Sequence, residues 1–190
     1  LGALYFINNI DDKDLVARSR RSLIGNSVLF LVFFLSFVIR TLLADGYAVN
    51  PETGEVFMEP YKYLTNFIEM PLVLVLFLIG VVLVLFGIGK SLLKTKFDKG
   101  IWFTGIGTVL AVLALLLVAG YNNTAYYPST NDLQSSLTLA NSCSSQFTLR
   151  VMFYVSFLVP FVLAYIFYAW RSIDIHKISE KEMKDGGHAY

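Results

Sequence analysis

Four stretches of this sequence, 24–43, 67–88, 101–121 and 147–170, are apolar almost without interruption. Each holds about 20 residues or more, which an α-helix rising about 1.5 Å per residue needs to cross a hydrocarbon layer about 30 Å thick. The expected fold is an all-α integral membrane protein. Its four transmembrane helices would form a four-helix bundle. None of the four runs contains a histidine, so the commonest side chain for gripping a heme or a metal between helices is missing from them.

The rest of the composition narrows the partners. With 56% hydrophobic and 15% charged residues, the chain lacks the polar surface that a water-soluble domain needs. Its single cysteine, Cys143, excludes an intramolecular disulfide framework and a four-thiolate metal site. No basic run with interleaved aromatics points to nucleic acid, and membrane lipid is the expected surroundings. Residues 1–7 are apolar until Asn8, Asn9, Asp11 and Asp12 stop them. They read as the last turns of a preceding transmembrane helix, which makes the chain the C-terminal part of a longer membrane protein.

Charge gives the orientation. Lys13, Arg18, Arg20 and Arg21 lie before the first run, Lys90, Lys94, Lys96 and Lys99 between the second and third, and Arg171, Lys177, Lys181 and Lys184 after the fourth. The opposite side has only Arg40 and Arg150, near the ends of the first and fourth runs, and Lys62, alongside Asp45, Glu52, Glu55, Glu59 and Asp132. The positive-inside rule then places 8–23, 89–100 and the tail 171–190 in the cytoplasm and 44–66 and 122–146 outside.

Several residues carry specific expectations. Gly80 and Gly87 on the second run, and Gly107 and Ala111 on the third, are small residues at spacings that let membrane helices approach closely, with Gly100 and Gly105 as further positions. Pro160, inside the fourth run, should kink that helix. Trp102, Tyr121, Tyr168 and Trp170 stand where aromatic rings favour the membrane interface. Arg40 reads first as an interfacial snorkeller and second as a counter-ion for a headgroup or a partner's propionate. Glu69, placed in the first turn of the second run, complements a positive helix end, with proton entry as the sharper alternative. Arg150, at the matching edge of the fourth run, is a candidate partner for it. Met70 and Met152 read as packing residues rather than ligands. His176 and His188 both follow the last run, and Ser179 with Glu182 has capping-box spacing for a short tail helix. No catalytic or metal residue is expected here, and no proton wire, since mid-depth Asp, Glu and Lys are absent.

The most distinctive sequence starts at Pro128-Ser129 and continues through Ser136-Leu137-Thr138 and the run from Ser144 to Met152 to Val159-Pro160, Tyr165 and Trp170. This resembles the last outer loop and last helix of subunit II of the cytochrome bd quinol oxidases. Asp45-Gly46-Tyr47, Asn50-Pro51, Asn66-Phe67 and the opening Gly2-Ala3 with Tyr5 resemble the same family. The resemblance implies one repeat of a larger pseudo-symmetric subunit. It implies a membrane heterodimer that oxidises quinol and reduces dioxygen in the bacterial inner membrane, with a proton gradient generated by charge separation. Hemes b and d would belong to a heme-bearing subunit I. The N-terminal half of the same subunit would be a second partner and would carry the acidic residues of the proton route. Some members of the family hold a structural quinone. The rival reading is half of a pseudo-symmetric transporter or channel. A four-span junction scaffold needs an outer-loop disulfide, which one cysteine cannot form.

Overall fold

The computed structural model describes residues 1–94, 97–173 and 178–179. Its first helix, α1 (Gly2–Asn9), turns back through strand β1 (Ile10–Asp11), which pairs in parallel with β4 (Ile178–Ser179). Helix α2 (Lys13–Leu43) follows β1 at once. The Asp12 carboxylate caps it by accepting from the amides of Asp14 at 2.8 Å and Leu15 at 3.0 Å. Residues 13–23, expected as loop, are therefore helical. At 31 residues α2 is about 46 Å long, so about a third of it stands outside the hydrocarbon layer.

The second span differs from the sequence expectation at both ends. A separate helix α3 (Lys62–Glu69) precedes it, and the chain breaks at Met70 with φ −113° and ψ 72°. Residues before proline avoid the helical region, so α4 (Pro71–Leu93) starts afresh with Pro71 in its first turn. It continues well past Ile88. Helix α5 (Gly100–Gly120) forms the third span. The fourth is split into α7 (Gln146–Ser156) and α8 (Val159–Ile173), after the one-turn α6 (Leu139–Ser142).

All-α and membrane-integral is the class the structure shows, with four helices long and apolar enough to span a bilayer. Their packing is uneven. Helices α4 and α5 are pressed together along a seam of small residues. A Cβ on Gly80 would lie 2.6 Å from the Ala111 nitrogen, and one on Gly107 would lie 2.6 Å from the Gly80 carbonyl oxygen. At the other end of the seam a Cβ on Gly87 would lie 2.7 Å from the Gly100 oxygen. Gly105 differs, since nothing lies within 4 Å of a Cβ added there, so it makes no close approach. Leu4 and Ile7 of α1 pack with Leu23, Val84 and Ile88. By contrast, the α7–α8 helix buries none of its apolar window, and a cleft of about 520 Å³ separates α8 from α1 and α5. The bundle thus has one member held apart.

The connections at the end remote from the basic residues fold into a cap. Strands β2 (Gly46–Val49) and β3 (Val56–Glu59) form an antiparallel hairpin, closed by a turn with Gly54 at φ +74°. The second connection joins it: Ala48 bridges Thr124, and Gln134 makes a pair of hydrogen bonds to the Val56 backbone at 2.9 and 2.8 Å. Polar sequence in 44–66 and 122–146, read only as loop, thus supplies a small second layer over the helix ends.

Candidate functional site

The hairpin end carries the densest buried polar cluster. Asn66, on α3, is fully buried, and its amide nitrogen donates to the Val118 carbonyl at 2.9 Å and to Thr124 Oγ1 at 2.8 Å. Val118 lies in the last turn of α5, where carbonyls have no intrahelical donor, so Asn66 satisfies a group the helix itself cannot. The Asn66 oxygen accepts from Asn122 Nδ2 at 3.1 Å, and the same nitrogen donates to the Glu69 carboxylate. Asn122 and Asn123 hold this geometry with φ of +55° and +51°, in the left-handed region that asparagine tolerates best after glycine. Beside them opens a cavity of about 670 Å³ of mixed lining, with Asn50, Asn122, Asn123 and Asn141 among Val49 and Leu139.

Glu69 is therefore not in the first turn of the span. It ends α3, is exposed, and pairs with Asn122. Among the described residues no ion pair joins it to Arg150, which is exposed on α7. Arg40 lies in the last turn of α2 and is exposed too. The cap's one ion pair among the described residues is Lys62 with Glu59 at 3.2 Å. Near it, burial pushes the Tyr63 phenol above its ordinary pKa, with Tyr47 adding to the effect.

At the basic end, Arg20 fixes the turn after α4. Its guanidinium donates to the carbonyls of Ser91, Lys94 (3.3 Å) and Phe97 (3.2 Å), placing a cation on the negative end of α4. Lys90 stacks 4.8 Å from the centre of the Phe86 ring and 4.6 Å from that of Phe97. In the sequence Arg20 reads only as a topological charge, and Asn66 only as the end of an outer loop and part of the family resemblance. No local signal separates either from its neighbours, because their partners lie far away in the chain.

Pro160 falls in the first turn of α8, just after the break at Phe157 and Leu158, so the interruption expected at the proline lies just before it. There the amides turn to partners three residues back, Phe157 to Tyr154 at 3.2 Å and Leu158 to Val155 at 2.9 Å. Gly80, Gly87, Gly107 and Ala111 all meet in the α4–α5 seam. His176, His188 and Glu182 lie outside the described residues, and with Glu182 goes the capping box expected in the tail.

The model of the family "cytochrome bd terminal oxidase subunit II" matches residues 1–173. The chain belongs to that family. Cytochrome bd-I ubiquinol oxidase subunit 2 of Escherichia coli strain K12 is 32% identical over 136 residues, covering 70% of this chain and 34% of that protein. The same subunit from the O6:H1 and O157:H7 strains matches to the same extent. The chain thus spans about a third of the length of the curated relatives it matches.

Hemes are implied by the family name; the four spans contain no histidine, and His176 and His188 lie outside the described residues. Among the described residues no group of three or more His, Cys, Asp or Glu comes together. Met70 sits at the helix break and Met152 is exposed on α7, so the two thioethers stand on separate elements. No step of heme chemistry is assigned to these helices.

Proposed function

We propose that this chain is the last four spans of the non-heme subunit of a respiratory cytochrome bd quinol:oxygen oxidoreductase in the bacterial inner membrane. The match of the family over residues 1–173 carries this reading. On this reading the segment supports assembly of the heme-bearing subunit I, which performs electron transfer from quinol to dioxygen and generates the proton gradient. The histidine-free spans fit a supporting role, and the open flank of α7–α8 is surface that a partner or the N-terminal half of the subunit can cover. Arg40, Glu69 and Arg150 act as interfacial charges, and the glycine seam as the rigid element that neighbours pack against. On the same reading both ends of the segment are cytoplasmic and the hairpin cap lies outside, an orientation that the distribution of Lys and Arg supports. A structural quinone in this subunit belongs to the same reading.

The break in the last span is the one observation that favours the rival, a transporter half, because such proteins build sites from interrupted helices. One experiment decides between them. The full-length protein is purified from its native membrane and its reduced-minus-oxidised spectrum recorded. Hemes b and d copurifying with a larger, histidine-bearing subunit are expected. A colourless preparation that transports solute would reverse the order.

A further inference from the structure

Helix α2 leaves the hydrocarbon layer carrying a ladder of polar side chains: Arg18, Ser22 and Asn26, four residues apart, lie on one face with Ser19 beside them. Opposite that face, α1 presents Gly2, Ala3 and Phe6. Together these residues line a cleft of about 500 Å³ between the two helices. The lining is mainly apolar, Leu15 and Ile10 included, with the polar groups confined to the α2 side and the Arg18 cation toward the outer end.

The depths fit a lipid. The apolar run starts at residue 24, so Ser22 and Asn26 bracket the boundary of the hydrocarbon. Arg18 stands one turn, about 6 Å, further out, within the headgroup layer. Donors at the boundary match ester carbonyls, and a guanidinium one turn above matches a phosphate. Asn26 donates to Ser22 Oγ at 3.1 Å, which holds the two polar groups together at the boundary. Arg18 and Arg21 also flank an adjacent hollow that holds a single acid, Asp14. The local balance is positive and disfavours a headgroup with its own cation. Beside the α1 backbone, nothing lies within 4 Å of a Cβ added to Gly2, and Ala3 and Phe6 continue this apolar side of the cleft.

We propose that the α1–α2 cleft binds one anionic phospholipid of the leaflet at the basic end. Arg18 holds its phosphate, Ser22 and Asn26 its glycerol esters, and Gly2, Ala3 and Phe6 one acyl chain. The site does not depend on the oxidase assignment, only on the helices standing in a bilayer.

The test uses the full-length protein with its copurifying partners, in nanodiscs of phosphatidylcholine doped with a phosphatidylglycerol that carries a photoreactive acyl chain. Crosslinks are mapped by mass spectrometry. Labelling of the α1 segment is expected. Arg18→Gln should lower it about fivefold, as loss of one interfacial cation would. Gly2→Leu, which leaves the charge in place and fills the open space, should lower it as well. Unlabelled phosphatidylglycerol should compete, whereas phosphatidylcholine and inorganic phosphate should not. Equal labelling of wild type and both variants, equal competition by phosphatidylcholine, or no label on α1 because a protein partner fills the cleft would each overturn the proposal.

Discussion

Helices α4 and α5 and the split helix α7–α8 are all apolar enough to cross a membrane, yet they use that property in opposite ways. The first two bury their small residues against each other until backbone nearly meets backbone, with Gly80, Gly87, Gly107 and Ala111 in the seam. The last leaves Phe153, Phe157, Phe161 and Tyr165 exposed, with Phe153 touching only rings of its own helix, Tyr154 and Phe157, among aromatic side chains. Lipid rewards close packing and not hydrophobicity as such, so the pair holds together by shape. The final helix has large side chains where α4 and α5 have glycine. Its surface is suited to insertion between other helices, and the neighbouring cleft keeps it away from α1 and α5.

Substitutions can break or sharpen that contrast. The largest effect is expected from Gly107→Leu. Its Cβ would meet the Gly80 oxygen, Leu83 and Val84 at 2.6–2.8 Å, so the helices must separate at a cost of about 3 kcal/mol or more. Thermal unfolding in mild detergent should show this, while Gly105→Leu, whose Cβ would meet nothing within 4 Å, should not lower the midpoint. Equal loss from both would mean that the seam contributes nothing of its own.

Asn66→Leu comes next, at about 2 kcal/mol, because the Val118 carbonyl, Thr124 and Asn122 lose a buried partner together. Limited proteolysis should then cut the hairpin cap before the spans. Thr104→Val should raise stability by about 1 kcal/mol, since the Thr104 hydroxyl is buried at Gly87 without a hydrogen-bond partner. A fall in unfolding midpoint for this variant would mean that the hydroxyl has a partner in the membrane. The smallest change in the chain's own stability, within about 0.5 kcal/mol, is expected from Phe161→Ala on the exposed helix. Copurification with the partner subunit should nonetheless fall. Intact assembly would place the partner on another face.

Legibility in the sequence followed the range of the interaction. The spans were readable because about 20 consecutive apolar residues are a local property. The seam was readable too, since glycines seven apart recur on one side of a helix. Helix ends were less so: Asp12 starts α2 well before the apolar run, and Met70 stops α3 just before Pro71. The hairpin cap and the Asn66 cluster could not be read at all. Asn66 finds its partner 52 residues away and Val56 finds Gln134 78 residues away.

By itself the sequence determined that four helices stand in a bilayer, which of them can touch closely, and that none brings a histidine to the interior. Those facts depend on the length and composition of single segments. Only the tertiary structure decided that Glu69 faces Asn122 and not Arg150, that Arg20 ties down the end of α4, and that the last span stands apart. Each of these is a pairing between distant parts of the chain, and a hydrogen bond or a packed surface exists only once folding has brought both sides together.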